Sequence, residues 1–156
     1  MKVIRNTITI SAPADTVFMF VADPSTAPLR MPPHLQDRYH ATAPLAEGDT
    51  RETTYELLGI HWQERRWVVR IDTDQRRVVW HTDSRFNLRE EWRVEALDAG
   101  RCRLVLERQL APMTFGESVY WRFVIAPLMN AALDHRLRMT RDAIEGGWSG
   151  HRLRTA

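Results

Sequence analysis

The stretch from Glu117 to Gly146 constrains this chain more than any other. Val119, Phe123, Ala126, Asn130, Leu133, Leu137, Thr140 and Ile144 recur at intervals close to the helical repeat of about 3.6 residues. The opposite face of the second half is charged. Asp134, Arg138 and Asp142 stand four apart, as do Arg141 and Glu145, a spacing that suits a solvated surface. Glu117 lies at the start, where the positive helix end favours a carboxylate, and Gly146-Gly147 is a stop signal. A long helix with one apolar stripe must lie against something. Pro127 has no N–H to give the carbonyl of Phe123, which predicts a bend there. Asn130 and Thr140 interrupt the stripe. Each is either satisfied locally or by one buried water, or faces a cavity and meets a ligand. The first half, from Val119 to Leu133, is apolar nearly all round but too short for a membrane span, which takes about 20 apolar residues. It predicts burial on several sides, or contact with a partner or with lipid.

The rest of the chain supplies the opposing surface. Val3–Ile10 alternates, with Ile4, Asn6, Ile8 and Ile10 on one face. Ser11 before Ala12-Pro13 reads as the N-cap of a short helix that carries Ala14, Val17, Phe18 and Val21 and ends near Asp23-Pro24. From Ser25 to Pro33, three prolines in nine residues predict a loop or a broken second helix, with Leu29 and Met31 available to cover apolar surface. Alternating segments follow near 36–43, 50–58, 61–72, 76–84, 87–97 and 101–111. Turn signals at Ala46-Glu47-Gly48-Asp49, Asp72-Thr73-Asp74-Gln75 and Asp98-Ala99-Gly100 separate them.

Hairpin registers follow from the turns. A three-residue loop at 98–100 sets Leu97 opposite Arg101, Ala96 opposite Cys102, Val94 opposite Leu104, Trp92 opposite Leu106 and Glu90 opposite Arg108. The reverse face sets Glu95 against Arg103. Across 72–77, Ile71 faces Val78, Val69 faces Trp80 and Trp67 faces Thr82, with Asp72 by Arg77 and Arg66 by Asp83 on the wet side. For the 58–60 hairpin the expectation is Leu57 opposite His61 and Tyr55 opposite Gln63, both inward. One apolar sheet face and one helix stripe then bury each other, an α+β arrangement whose antiparallel sheet keeps its outer face wet.

The opening, with Ala12-Pro13, Val17-Phe18 and Asp23-Pro24, resembles the START-like, or SRPBCC (helix-grip, Bet v 1-like), superfamily. The Gly48-Asp49 turn, the Asp72 turn and the long last helix match it too. The resemblance spans residues 3–146 and looks closest to the polyketide cyclase/dehydrase and lipid-transport branch. It implies a curved seven-stranded antiparallel sheet wrapped around the C-terminal helix, two short helices after the first strand, and a cavity between sheet and long helix. The domain is expected over 1–147, with 148–156 a flexible tail.

Composition narrows the chemistry. A chain of 156 residues is large enough for one domain with a sizeable core. The 22 Lys and Arg are nearly balanced by 20 Asp and Glu, with no isolated basic run, so no nucleic-acid partner is expected. Cys102 is single, which excludes an internal disulfide and a thiolate metal cluster. His34, His40, His61, His81, His135 and His151 show no metal-ligand spacing, so no metal is expected. No phosphate loop or nucleophile elbow is present, and no cofactor is expected. The first ten residues alternate as a strand rather than form a signal peptide, and the expectation is a soluble cytoplasmic protein.

The expected cavity is lined by Tyr55, Arg65, Trp67, Val69, Trp80, Glu90, Trp92, Leu106, Arg108, Phe123, Met129, Asn130 and Leu133. Glu90 with Arg108 is its sharpest polar feature. The pair is either a structural ion pair near the sheet end, or Arg108 polarises a ligand carbonyl or holds a carboxylate while Glu90 orients it. Tyr55 adds a hydroxyl and Arg65 a second cation. Three functions fit: binding or transport of a hydrophobic small molecule (a lipid, isoprenoid quinone or polyketide-like compound); a polyketide cyclase/dehydratase, aromatase-like, with Glu90, Arg108 and Tyr55 as catalytic candidates; or a protein-partner-binding module. Expected partners are the ligand, a transient membrane surface and a second copy in a homodimer.

Overall fold

The computed structural model describes residues 2–31, 35–41, 44–57, 59–83 and 87–148. Seven strands, β1 (Lys2–Ile10), β2 (Leu35–His40), β3 (Thr50–Leu57), β4 (Ile60–Asp72), β5 (Arg77–Thr82), β6 (Asn87–Ala96) and β7 (Cys102–Leu110), form one antiparallel sheet in the order β1-β7-β6-β5-β4-β3-β2. The helix α1 (Ala14–Ala22) and a 3-10 helix (Pro24–Arg30) follow β1. After β7 come α2 (Phe115–Tyr120), one π-helical turn (Trp121–Ile125) and α3 (Ala126–Glu145). This is the α+β helix-grip architecture, a curved sheet closed by a long C-terminal helix. The expected strand ends at 42–43, 58 and 84, the prolines at 32 and 33, and the tail from 149 lie outside the described residues.

The grip is fastened at both sheet edges. At β1, Asn6 Nδ2 donates to Asp134 Oδ1 (2.8 Å) and the Ser11 amide donates to Glu145 Oε1 (2.8 Å). At β2, Arg136 Nη2 meets Asp37 Oδ2 at 3.1 Å. Between them Leu133, Leu137 and Ile144 of α3 pack on Ile10, Val94, Leu104 and Leu106 in one core that also takes in Val17, Phe18 and Phe20 of α1. Ser11 is therefore not the cap of α1. Pro13 holds that position, at φ −59°, and its carbonyl accepts from the Val17 amide. In the 3-10 helix, Ala27 and Arg30 are three apart and share the buried face, which leaves Leu29 exposed.

The β6–β7 register is the one the turn at 98–100 predicts, from Ala96↔Cys102 to Glu90↔Arg108. Two other registers differ. The β3–β4 hairpin closes through a two-residue turn in which Gly59 takes φ +77°, so Leu57 pairs with Ile60 and Tyr55 with Trp62. Tyr55 is inward, while Gln63 and His61 are exposed. In β4–β5, Ile71↔Val78 and Asp72↔Arg77 hold. Then Val69 bulges out of the ladder, and Val68 pairs with Trp80, Trp67 with His81 and Arg66 with Thr82. One extra residue flips every side chain beyond it. Glu64, Arg66 and Val68 point into the protein; Arg65 and Trp67 point out.

The C-terminal helix is continuous but not uniform. Thr114 and Glu117 form a capping box that starts it at Phe115. The π turn ends two residues before Pro127, and the Ala126 amide reaches back to the carbonyl of Trp121, five residues away. The wider turn accommodates the donor that Pro127 lacks and rotates the front half of the helix. Trp121 is buried in place of the expected Phe123, which is 72% exposed. Phe115, Val119, Tyr120, Val124 and Leu128 are exposed with it, so the front of the helix keeps an uncovered apolar face. Further on, Leu133, Leu137, Thr140 and Ile144 are buried as the stripe predicts, and Met129 and Arg136 join them. Thr140 is satisfied locally, its hydroxyl donating to the Arg136 carbonyl at 2.9 Å. Trp148, assigned to the tail, packs edge-on against Phe20 at 4.9 Å. No helix among the described residues is long and apolar enough to cross a membrane.

Candidate functional site

Strand alternation carries charged side chains onto the inward face. In β3, Tyr55, Thr53 and Arg51 share that face by period two. The neighbouring registers place Asp37 and Tyr39 of β2 beside Thr53 and Arg51, and Glu64 and Arg66 of β4 on the other side. Glu90 of β6 lies between Trp80 of β5 and Arg108 of β7. Arg30 from the 3-10 helix and Arg136 from α3 close the layer. Among the described residues, five guanidinium groups (Arg30, Arg51, Arg66, Arg108, Arg136) and three carboxylates (Asp37, Glu64, Glu90) are buried together, an excess of two positive charges. No Asp or Glu side chain exists outside the described residues to offset it.

Glu90 is the hub. Oε1 lies 2.9 Å from Arg51 Nη2 and accepts from Trp92 Nε1–H at 2.7 Å; Oε2 lies 2.7 Å from Arg108 Nη2 and 3.4 Å from Arg66 Nη1. Asp37 accepts from the Thr53 hydroxyl (2.6 Å) and holds Arg136 at 3.1 Å and Arg51 at 3.8 Å. Glu64 pairs with Arg66 and accepts from the Tyr55 hydroxyl (3.1 Å), which itself accepts from Arg66 Nη2 (2.5 Å). The aromatic rings serve the cations. Arg51 stacks over Trp80 at 4.6 Å, and Arg136 and Arg30 lie over Trp92 at 5.0 and 5.8 Å. Arg108 keeps donors to spare: Nη1 and Nε are buried with no acceptor among the described residues.

The charges set the protonation states. Burial alone raises the Glu90 pKa, but Arg66, Arg51 and Arg108 together hold it well below the usual carboxylate range. Asp37 follows the same pattern, with burial outweighed by Arg51 and Arg136, and is lowered. Arg136 moves the other way. Burial pushes its pKa down and Arg51 adds to the fall, against the pull of Asp37. Glu90 is thus a fixed anion with both oxygens engaged, a poor general acid and a weakened base.

The expected lining residues divide clearly. Tyr55, Trp80, Glu90, Trp92, Leu106, Arg108, Met129 and Leu133 are buried, and Asn130 is half-buried. Four do not line the interior. Beyond the bulge, Arg65 is exposed and pairs with Glu52 (3.5 Å), and Trp67 sits outside near the His81 ring. Val69 is the bulge residue itself, and the π turn sends Phe123 to the surface. Arg30, Asp37, Arg51, Glu64, Arg66 and Arg136 complete the cluster without having been expected. Period two from Tyr55 reaches Arg51, and helical spacing between Leu133 and Thr140 reaches Arg136, so both positions carried a signal.

A helix-grip sheet with polar groups under a C-terminal helix defines a START-like, Bet v 1-like (SRPBCC) domain, the class also seen in comparisons with known proteins. The family model for polyketide cyclase / dehydrase and lipid transport matches residues 1–145, and the chain belongs to that family. No curated protein matches the sequence. Among solved structures, a protein from Thermus thermophilus is similar at 14% identity and a TM-score of 0.73, covering 95% of this chain and 100% of its own. The Zhui aromatase/cyclase from Streptomyces sp. R1128 is similar at 20% and 0.64, covering 92% and 95%. Norcoclaurine synthase from Thalictrum flavum, in complex with dopamine and hydroxybenzaldehyde, is similar at 13% and 0.69, covering 95% and 88%. At these identities the likeness is one of fold.

The depressed carboxylates imply an acid limb in stability. A carboxylate with a lowered folded pKa contributes stability that is present above its unfolded value and lost as pH falls toward the folded one. Melting temperature should therefore hold near neutrality and drop once pH passes below the ordinary Glu and Asp values of 4.5 and 3.8. Thermal melts across that range check this, and Glu90→Gln should flatten the decline.

Proposed function

We propose that this domain binds and carries a hydrophobic small molecule between the sheet and α3, and that Glu90 orients arginines there rather than moving protons. Family membership supports the binding half of this reading. The observation that carries the other half is the engagement of both Glu90 oxygens by three guanidiniums and the Trp92 indole. A cyclase needs a group that exchanges a proton near neutral pH, and Glu90 is held as an anion well away from it. The cyclase reading draws on the family and on the aromatase/cyclase among the similar folds. The two separate in one experiment. Native mass spectrometry of the purified protein and calorimetric titration with dodecanol should detect a bound apolar molecule, and a poly-ketone analogue should remain unchanged. Turnover of that analogue, lost in Glu90→Gln while binding persists, would replace the carrier with a cyclase. Absence of any binding would remove both.

A carrier of apolar cargo has to exchange it, and the uncovered front of the C-terminal helix suits contact with an anionic lipid surface. Phe115 and Phe123, 87% and 72% exposed, lie on this front. Two basic groups flank it: Arg122 sits over the Phe123 ring, and Lys2 reaches Ser118 at 2.6 Å, while the acidic neighbour on the front, Glu117, is engaged in the capping box with Thr114. Apolar insertion and attraction to anionic headgroups reinforce each other in such a surface. Phe123→Glu should weaken co-sedimentation with phosphatidylserine-containing vesicles by about tenfold and leave the melting temperature unchanged. A concentration-dependent dimer that the same substitution abolishes would assign the face to a second copy instead.

A further inference from the structure

We infer that the cargo is an amphiphilic organic anion whose oxyanion head meets Arg108 and offsets the buried arginine excess. The inference rests on the carrier reading and adds the chemical class of the ligand. An unpaired charge removed from water costs several kcal/mol, which is why buried charges normally have partners. Here, among the described residues, five buried cations share three carboxylates, and no acidic side chain lies outside those residues to reach them. The cation–π contacts lessen the cost without changing the charge.

Arg108 is where an anion gains most. Its Nη2 lies 2.7 Å from Glu90 Oε2, and its Nη1 and Nε are buried donors without an acceptor among the described residues. A guanidinium with free N–H groups matches the oxygens of a carboxylate or a phosphate monoester. The neighbouring side chains are apolar. Leu106 and Leu104 follow Arg108 along the inward face of β7, and Leu133 of α3 joins them in the core. A charged head beside an aliphatic wall calls for an amphiphile. A cationic head would add to the excess, and a neutral one would leave it standing.

The test is a calorimetric series at one chain length on the whole protein: dodecanoate, dodecyl phosphate, dodecanol and dodecylammonium. At least one of the two anions should bind about tenfold or more tightly than dodecanol, and dodecylammonium more weakly than dodecanol. A lead for dodecyl phosphate over dodecanoate identifies a dianionic head, and the reverse a carboxylate. In Arg108→Met the advantage of the anions should fall to within about threefold while dodecanol binds as before. The series on the parent protein decides the matter even if that variant does not fold. Equal binding of dodecanol and both anions would overturn the inference and leave the carrier reading intact, whereas failure of all four ligands would overturn the carrier reading itself. A rise in melting temperature from sodium chloride that equals the rise from dodecanoate would also overturn it, since a simple halide would then suffice.

Discussion

The interior depends on one carboxylate. Arg51 and Arg66 are cross-strand neighbours with like charges on the same buried face, an arrangement that is repulsive on its own. Glu90 sits between them, one oxygen toward each, and takes Arg108 from the other side. Strands β3, β4, β6 and β7 are therefore tied through a single side chain. Asp37 does similar work at the far edge, where it links β2, β3 and α3 through Thr53, Arg51 and Arg136. A buried ionic cluster adds little net stability over a well-packed apolar core. What it supplies is a fixed geometry and a strong local field, both of which a ligand can use.

This arrangement changes the meaning of the tryptophans. By sequence Trp80 and Trp92 are expected to line a cavity for a hydrophobic ligand. In the folded chain guanidinium groups lie over both rings, and the Trp92 indole N–H goes to Glu90. The rings allow cations to be desolvated at lower cost. The interior is thus not uniformly apolar: a layer of buried cations lies beside an aliphatic core that includes Leu104, Leu106 and Leu133.

The parts of the fold that were legible are those where pattern and turn chemistry agree. From Glu90 to Ala96, β6 pairs with β7 without a shift, and that register could be written residue by residue, including Glu90 opposite Arg108. The rear half of the long helix was equally clear. The misplacements have two local causes. Val68 and Val69 are adjacent and equally apolar, so nothing in the pattern says which one the ladder skips, and the bulge exchanges Arg65 and Trp67 for Glu64 and Arg66. Pro127 announced an irregularity in the helix but not its kind. A π turn rotates the preceding residues where a simple kink would not, and so Phe123 gave way to Trp121. Arg51 and Arg136 were missed for a different reason. Their positions follow from periodicity, but a charged side chain is assigned to water by default, and only the three-dimensional layer shows that they support one another.

Among the described residues the buried layer carries more positive charge than its own carboxylates offset, and the sharpest consequence is an asymmetry in stability. Denaturant unfolding near neutral pH of Glu90→Gln and Arg108→Met, each against the parent, measures it directly. Neutralising Glu90 enlarges the excess and leaves Arg51, Arg66 and Arg108 facing one another, so it should cost about 3–5 kcal/mol. Removing Arg108 reduces the excess and leaves Glu90 with two cations, so it should cost clearly less, about 1 kcal/mol. Equal losses in the two variants, or a larger loss for Arg108→Met, would mark an ordinary one-to-one ion pair and contradict the account.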